Sequence, residues 1–255
     1  MAPLGWKGRG GGKPRLLALG DSAVLAEFSG TVDMAVNARI QQVAARIREQ
    51  APPWVRDVVP SMAAIAVHFD AEAVAAAGLD SADARIAEAR AALQALVERC
   101  AEEVPKAAVT PEAAIEVPVC YGGAFGEDLE VVAAQLKMRP DEVVRRHCAS
   151  EHRVLMVGFA PGHPYIGGLD PALSVPRRAT PRVRVPEGSI AIANGQSVVY
   201  PFTISGGWSI IGRTPLRVFD AAATPPAIFS PGQRVRFVAI DEAEYARQRS
   251  RAACA

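Results

Sequence analysis

The sequence predicts an α+β protein, a small α/β domain followed by a closed or nearly closed β-barrel. Three observations predict it. Two long stretches with helical apolar spacing lie among short apolar runs in the first hundred residues. A proline-flanked segment of little periodicity then interrupts the chain. After two further short helices come brief β runs separated by Gly/Pro turns, with no long helix among them.

In order, "RLLAL" (15–19), "AVLAEF" (23–28) and "IAVHF" (65–69) read as strands, with "GDS" (20–22) as the first tight connection. Val36, Ile40, Val43, Ala44 and Ile47 recur at helical spacing, with Asp33 placed to cap and Pro52 to stop. A second helix runs from about Ser81 to Glu103 on the stripe Ile86, Ala89, Leu93, Leu96, Val97 and Cys100. Two helices on one face of a mostly antiparallel sheet of about four strands complete the first domain. "VPKAAVTP" (104–111) is the expected boundary. The expected division is a disordered leader over 1–13, the α/β domain over 14–107, the barrel over 112–240 and a charged helical tail over 241–255.

After "AIEVPVCY" come helices near 127–137 and 140–149, the second opening with Pro140 in its first turn. The barrel runs are "RVLMVGF", "SIAIA", "SVVY", "WSIIG", "LRVF" and "RVRFVAI". Closure is expected because it removes exposed sheet edges.

Composition excludes several classes. Lys and Arg total 28 against 27 Asp and Glu, a net charge of +1 that gives no support for nucleic-acid binding. No apolar run approaches the roughly 18 residues of a membrane span, and the leader has no apolar core of a secretory signal. Gly8–Lys13 lacks the residues of a phosphate loop. Cys100, Cys120, Cys148 and Cys254 have no metal or redox spacing, and scattered thiols point to the cytoplasm. His68, His147, His152 and His163 show no ligand spacing, so no metal is expected. His68 reads as a core histidine and His147 as buried and hydrogen-bonded. Cys148 reads as a small helical residue.

No complete catalytic constellation appears. What stands out is a set of unusual loops. "GFAPGHPYIGG" (158–168) surrounds His163 and Tyr165 with Gly158, Pro161, Gly162, Gly167 and Gly168, which predicts a rigid ledge at the barrel mouth presenting backbone amides. "PRRATPRVRVP" (176–186) holds Arg177, Arg178 and Arg182 as anion contacts, with Arg184 as a solvated edge. "NGQSVVYP" (194–201) offers Asn194, Gln196, Ser197 and Tyr200 at a rim, where they can orient a planar amide. "ISGGWSIIGRTP" (204–215) adds Trp208, as pocket wall or barrel plug, and Arg213.

Together "IEVPVCYGGAFGEDLEVVA", the segment from "GFAPGHPYIGG" to "RTPLRVFD", and the N-terminal "LLALGDSAVLAEF" resemble the KipI / allophanate hydrolase subunit 1 family over about Arg15–Ile240. This is also known as a carboxyltransferase-type subdomain. Three departures are visible: His163 stands where relatives usually carry an aromatic, Ser197 where they tend to carry threonine, and "PSMAAIAVHF" is plainer than their polar-aromatic version. The resemblance implies a cyclophilin-like barrel that works with a second cyclophilin-like barrel protein, the C component of the same enzyme. Family members include the B component of the ATP-dependent 5-oxoprolinase, which opens 5-oxoproline to glutamate together with a further A component. In that setting Tyr165, Gln196 and Tyr200 would orient a lactam or amide, Arg178 and Arg213 would steady negative charge, and Trp208 would wall the pocket. ATP would be used by the complex rather than bound by this chain alone. Two other family roles are implied as alternatives: biotin-linked carboxyl transfer in urea and allophanate metabolism, and inhibition of a sporulation-type histidine kinase.

Overall fold

The computed structural model describes residues 14–74, 81–104 and 114–253. The expected leader, most of the boundary segment and Cys254 lie outside the described residues. The chain divides into two compact units, Met1–Thr110 and Pro111–Ala255.

In the first unit, β1 (Arg15–Leu19), β2 (Ala23–Glu27), β3 (Val55–Pro60) and β4 (Ala64–Phe69) form an antiparallel sheet in the order β1-β2-β4-β3. Asp33 caps α1 (Met34–Gln50) by accepting from the amides of Ala35 and Val36, as its position predicts. Ser81 likewise caps α2 (Ala82–Glu103). Ile40, Val43 and Ile47 of α1 and Leu93 and Val97 of α2 are fully buried against Ile65 and Val67 of β4. β3 has no clear sequence signature: three of its six residues are exposed, and its proline reads as a turn. His68 faces the half-exposed side of β4 rather than the core, because Ile65, Val67 and Phe69 take the buried register.

The second unit is a closed seven-stranded barrel built from β5 (Ile115–Tyr121), β6 (His152–Val157), β7 (Pro164–Gly167), β9 (Ser189–Ala193), β10 (Gln196–Val199), β12 (Ser209–Arg213) and β13 (Arg234–Ile240). Its order is β10-β7-β6-β13-β5-β12-β9. Only the β13–β5 pair is parallel. A separate two-stranded sheet pairs β8 (Arg182–Val185) with β11 (Ile204–Gly206). α3 (Leu129–Leu136) and α4 (Pro140–Ala149) bring Leu129, Val132 and Val143 into the interior cluster, and α5 (Glu242–Ala253) forms the tail.

Period-2 alternation gives these strands two buried faces. Val117, Val154, Ile166, Ile190, Ile192, Val199, Ile211 and Phe237 join one cluster drawn from all seven strands, which is the barrel interior. Their neighbours Tyr165, Ala191, Ala193, Val198 and Ile210 point outward. They form a second cluster with Tyr200, Trp208 and, from the small sheet, Val185 and Ile204.

Three expectations are corrected. "LRVF" makes only an isolated bridge, Phe219 with Ala227, and not a barrel strand. In "NGQSVVYP" the "SVVY" run is a barrel strand as read, but Gln196 and Ser197 lie within it rather than beyond a strand end. Asn194 and Gly195 form the turn of a hairpin, at φ 50° and 73°, and Gln196–Val199 is strand β10. The second half of "GFAPGHPYIGG" is barrel strand β7, paired on both sides.

Candidate functional site

The loop between β6 and β7 closes on itself. Ala160–His163 is a type II turn with Pro161 second and Gly162 third, at φ 75°. The His163 amide donates to the Ala160 carbonyl at 3.1 Å. A Cβ on Gly162 would also come within 2.7 Å of Phe219. The Gly158 amide donates to the His163 carbonyl at 3.0 Å. Those two amides serve the loop itself, so they are not presented as a ledge. Of the four glycines in this stretch, Gly162 and Gly168 take left-handed backbone, whereas Gly158 and Gly167 do not. Phe159 does, at φ 72°, and the residue is 67% exposed. That backbone costs a non-glycine residue about 1–2 kcal/mol.

The turn delivers His163, which immediately precedes β7, into a set of rings on the outward-facing side of the barrel strands. The imidazole lies 5.4 Å from Phe159, 5.1 Å from Tyr165 and 5.3 Å from Tyr200, centroid to centroid. Tyr165 meets Trp208 edge-on at 6.1 Å, and the Arg177 guanidinium lies over Trp208 at 5.6 Å. Trp208 is therefore a wall of this cluster and plugs nothing. Tyr200 is 2% exposed and reaches the Trp208 backbone. Gly206 makes room for it, since a Cβ there would sit 2.1 Å from the Tyr200 hydroxyl.

Burial sets the charge state of these rings. The His163 imidazole is pushed down to about 4 by loss of solvent, so it is neutral at pH 7. Tyr200 is pushed up to about 12, first by burial and then by Tyr165. Burial raises Tyr165 as well, while Arg177 opposes the shift. The cluster thus offers neutral hydrogen-bonding rings beside a guanidinium.

Sequence reasoning missed the acid that organises the arginines. Asp128 is 4% exposed. It accepts from Arg178 Nη1 at 2.9 Å, from both Nη atoms of Arg182 at 2.8 Å, and from the Ile210 amide at 2.8 Å. Arg182 also pairs with Glu127 at 3.2 Å. Arg182 is thus held by internal carboxylates, which raise its pKa, and is not free for a ligand. Arg178 gives Asp128 one nitrogen and remains part-exposed, while its backbone amide donates to the Gly207 carbonyl at 2.8 Å. In sequence Asp128 looks like a helix cap, yet it makes no side-chain cap bond, and its partners lie 50 or more residues away.

Two predicted residues stand apart. Arg213 lies over Phe125 at 6.0 Å, and Phe125 packs on Tyr245 of α5 at 4.6 Å. Gln196 opens β10 opposite Ala193, half-buried.

A second polar group fills the barrel interior. His147 on α4 places Nδ1 2.7 Å from the Tyr121 hydroxyl and Nε2 3.0 Å from Ser197 Oγ. His152 Nε2 meets the His147 carbonyl at 2.8 Å, and the Tyr121 hydroxyl lies 3.5 Å from Cys148 Sγ. His147 is buried and hydrogen-bonded as expected. Both ring nitrogens of His147 are taken by internal hydroxyls, so this serine–histidine pair is structural. Among the described residues, no group of three or more His, Cys, Asp or Glu could hold a metal. A cavity of about 240 Å³ in the N-terminal unit is lined by the half-buried Gln42 and the exposed Arg46, Glu49 and Glu103, with no buried polar set.

The family model for the carboxyltransferase domain, subdomain C and D, matches residues 14–229. The chain belongs to that family. Its relatives include a protein of Bacillus subtilis (strain 168) named as the B component of 5-oxoprolinase, 36% identical over 89% of this chain and 93% of the relative. The same-named protein of Escherichia coli O157:H7 is 39% identical over 89% of this chain and 96% of its own. The solved structure of TTHA0988 superposes with a TM-score of 0.70 at 28% identity over 86% of this chain. This carboxyltransferase-type chain spans only 40% of the TTHA0988 chain. Among the described residues, no helix is long and apolar enough to cross a membrane.

Proposed function

We propose that this chain is the B component of a cytoplasmic 5-oxoprolinase assembly that spends ATP to hydrolyse the lactam C–N bond of 5-oxoproline, giving glutamate. The names of two relatives that match it nearly end to end support this. The observation that carries it is the convergence of Arg177, Trp208, Tyr165, Tyr200 and His163 on one outer face of the barrel. 5-Oxoproline is a flat five-membered amide bearing a carboxylate. Arg177, with Arg178 beside it, suits the carboxylate, Trp208 and Tyr165 suit the ring face, and the neutral rings suit the amide edge.

The cluster holds and orients, and it does not supply the reacting base. Its buried carboxylate, Asp128, is saturated by four donated hydrogen bonds. The nucleophile and the phosphoryl chemistry therefore belong to the partner proteins, the A and C components, which also bind ATP. The test is 5-oxoproline-dependent ATP hydrolysis by the reconstituted assembly. Activity is expected only with this chain present, and to fall at least tenfold with Arg177→Gln plus Arg178→Gln. Full activity without the chain rules the reading out.

A further inference from the structure

Stability alone does not explain the buried carboxylate of Asp128. Replacing a buried ion pair by apolar groups of like volume is often neutral or stabilising, so such a group is better explained by what it fixes in place. Asp128 is bound to both main-chain groups of Ile210, two positions after Trp208 on the same stretch of chain. Its carboxylate accepts from the Ile210 amide at 2.8 Å, and its own amide donates to the Ile210 carbonyl at 2.9 Å. From that fixed point it holds Arg178 and Arg182, the two ends of the segment that leads into β8.

Arg177 lies at the edge of that segment. On its far side Val175 is 1% exposed in the interior cluster, and its carbonyl accepts from the Asn194 amide at 2.7 Å. On its near side Arg178 is held by Asp128 and, through its amide, by the Gly207 carbonyl at 2.8 Å. Only Pro176 and Arg177 lie between these anchored residues, and the proline ring fixes its own φ. Among the described residues the Arg177 guanidinium has no hydrogen bond or ion pair, and it rests over Trp208 at 5.6 Å.

We propose that Asp128 is a positioning residue: it ties the segment that carries Arg177 to the strand end that carries Trp208, and so holds an unpaired guanidinium over the indole for the carboxylate of the ligand. This rests on the lactam-binding reading above and deepens it. Asp128 is 4% exposed and its oxygens are taken by four donors, so it acts through Arg177 and not on the ligand. A long side chain ordered before binding spares the affinity otherwise lost in ordering it, about two- to tenfold for one residue.

Isothermal titration of the full-length chain with 5-oxoproline, arranged as a double-mutant cycle, separates positioning from scaffold. Arg177→Gln is expected to weaken binding about tenfold. Asp128→Asn keeps an oxygen for the Ile210 amide but gives up the charge that holds the arginines, and should weaken binding about fivefold. The double variant should bind no worse than Arg177→Gln alone. Losses that multiply overturn the proposal and mark Asp128 as scaffold. Unchanged or tighter binding in Asp128→Asn also overturns it, and each of these results leaves the lactam site standing. A second readout needs no ligand. With Trp6→Phe and Trp54→Phe in place, emission comes from Trp208, and Arg177→Gln should shift it to the red by uncovering the indole. Asp128→Asn should give a red shift too, and none further in the Arg177→Gln background. A wild type that binds no 5-oxoproline sinks the lactam reading, and the tie from Asp128 to Arg177 is then judged by this emission alone. An Asp128→Asn spectrum equal to that of the wild type, or a further shift in the Arg177→Gln background, overturns it. If Asp128→Asn does not fold, Arg182→Gln releases the other end of the segment and is read by the same two measurements.

Discussion

His147 and His163 are both buried histidines of the barrel unit, one entering its interior from α4 and the other lying on its outer face. Both are held neutral by burial. Their hydrogen bonding differs. His147 has a hydroxyl on each ring nitrogen, and hydroxyls can donate or accept, so either tautomer is satisfied. His163 keeps Nδ1 empty among rings. Burial alone does not say what such a group contributes to stability. Saturation does, because removing a saturated group strands its partners and removing an unsaturated one strands none.

The largest expected effect tests that rule on Asp128. Removing a saturated buried carboxylate leaves Arg182, whose side chain is 18% exposed, with the exposed Glu127 alone, so Asp128→Ala should cost about 3 kcal/mol in urea unfolding. A loss below about 1 kcal/mol would show that solvent replaces the carboxylate easily. Next, His147→Leu keeps an apolar volume in the interior but leaves the Ser197 hydroxyl without its imidazole and the Tyr121 hydroxyl with Cys148 Sγ alone. A loss of about 2–3 kcal/mol is expected by the same measurement.

Acid sharpens the contrast. The unfolded His163 takes a proton near pH 6.5 and the folded one only near 4, so stability falls as pH drops through that window and is unaffected above it. The loss should reach about 3 kcal/mol near pH 4. His147 and His152 shift in the same direction and add to it. Denaturant melts of His163→Phe and wild type between pH 7 and 4.5 should diverge in the variant's favour as pH falls, and parallel curves would refute the His163 share. The smallest effect is at neutral pH. There His163→Phe is expected to gain about 1 kcal/mol by removing an unpaired buried nitrogen, whereas the equivalent change at His147 must lose stability.

Much of the second unit is legible in the sequence. Short apolar runs between Gly/Pro turns mark β6, β9, β10, β12 and β13, and Pro140 marks the start of α4. The site is legible as residue types rather than as places. Tyr165, Tyr200, Trp208 and Arg177 do meet, but on the outer face of strands whose inner face the interior core fills. β7 hides inside a stretch that reads as loop because four residues containing proline and glycine have no strand signature of their own. Its pairing on both sides supplies the order that its composition lacks. Arg182 reads as a free cation because nothing near it in sequence announces Asp128.

Local pattern, acting over a few residues, determined by itself the helices of the first unit with their caps and the short apolar runs that become barrel strands. Tertiary structure alone decided which buried groups are saturated. Asp128 meets Arg182 across 54 positions and His147 meets Ser197 across 50, while His163 meets no donor or acceptor at Nδ1. The reason is geometric: a hydrogen bond needs atoms within about 3 Å, and only closure of the barrel fixes distances between residues so far apart in the chain.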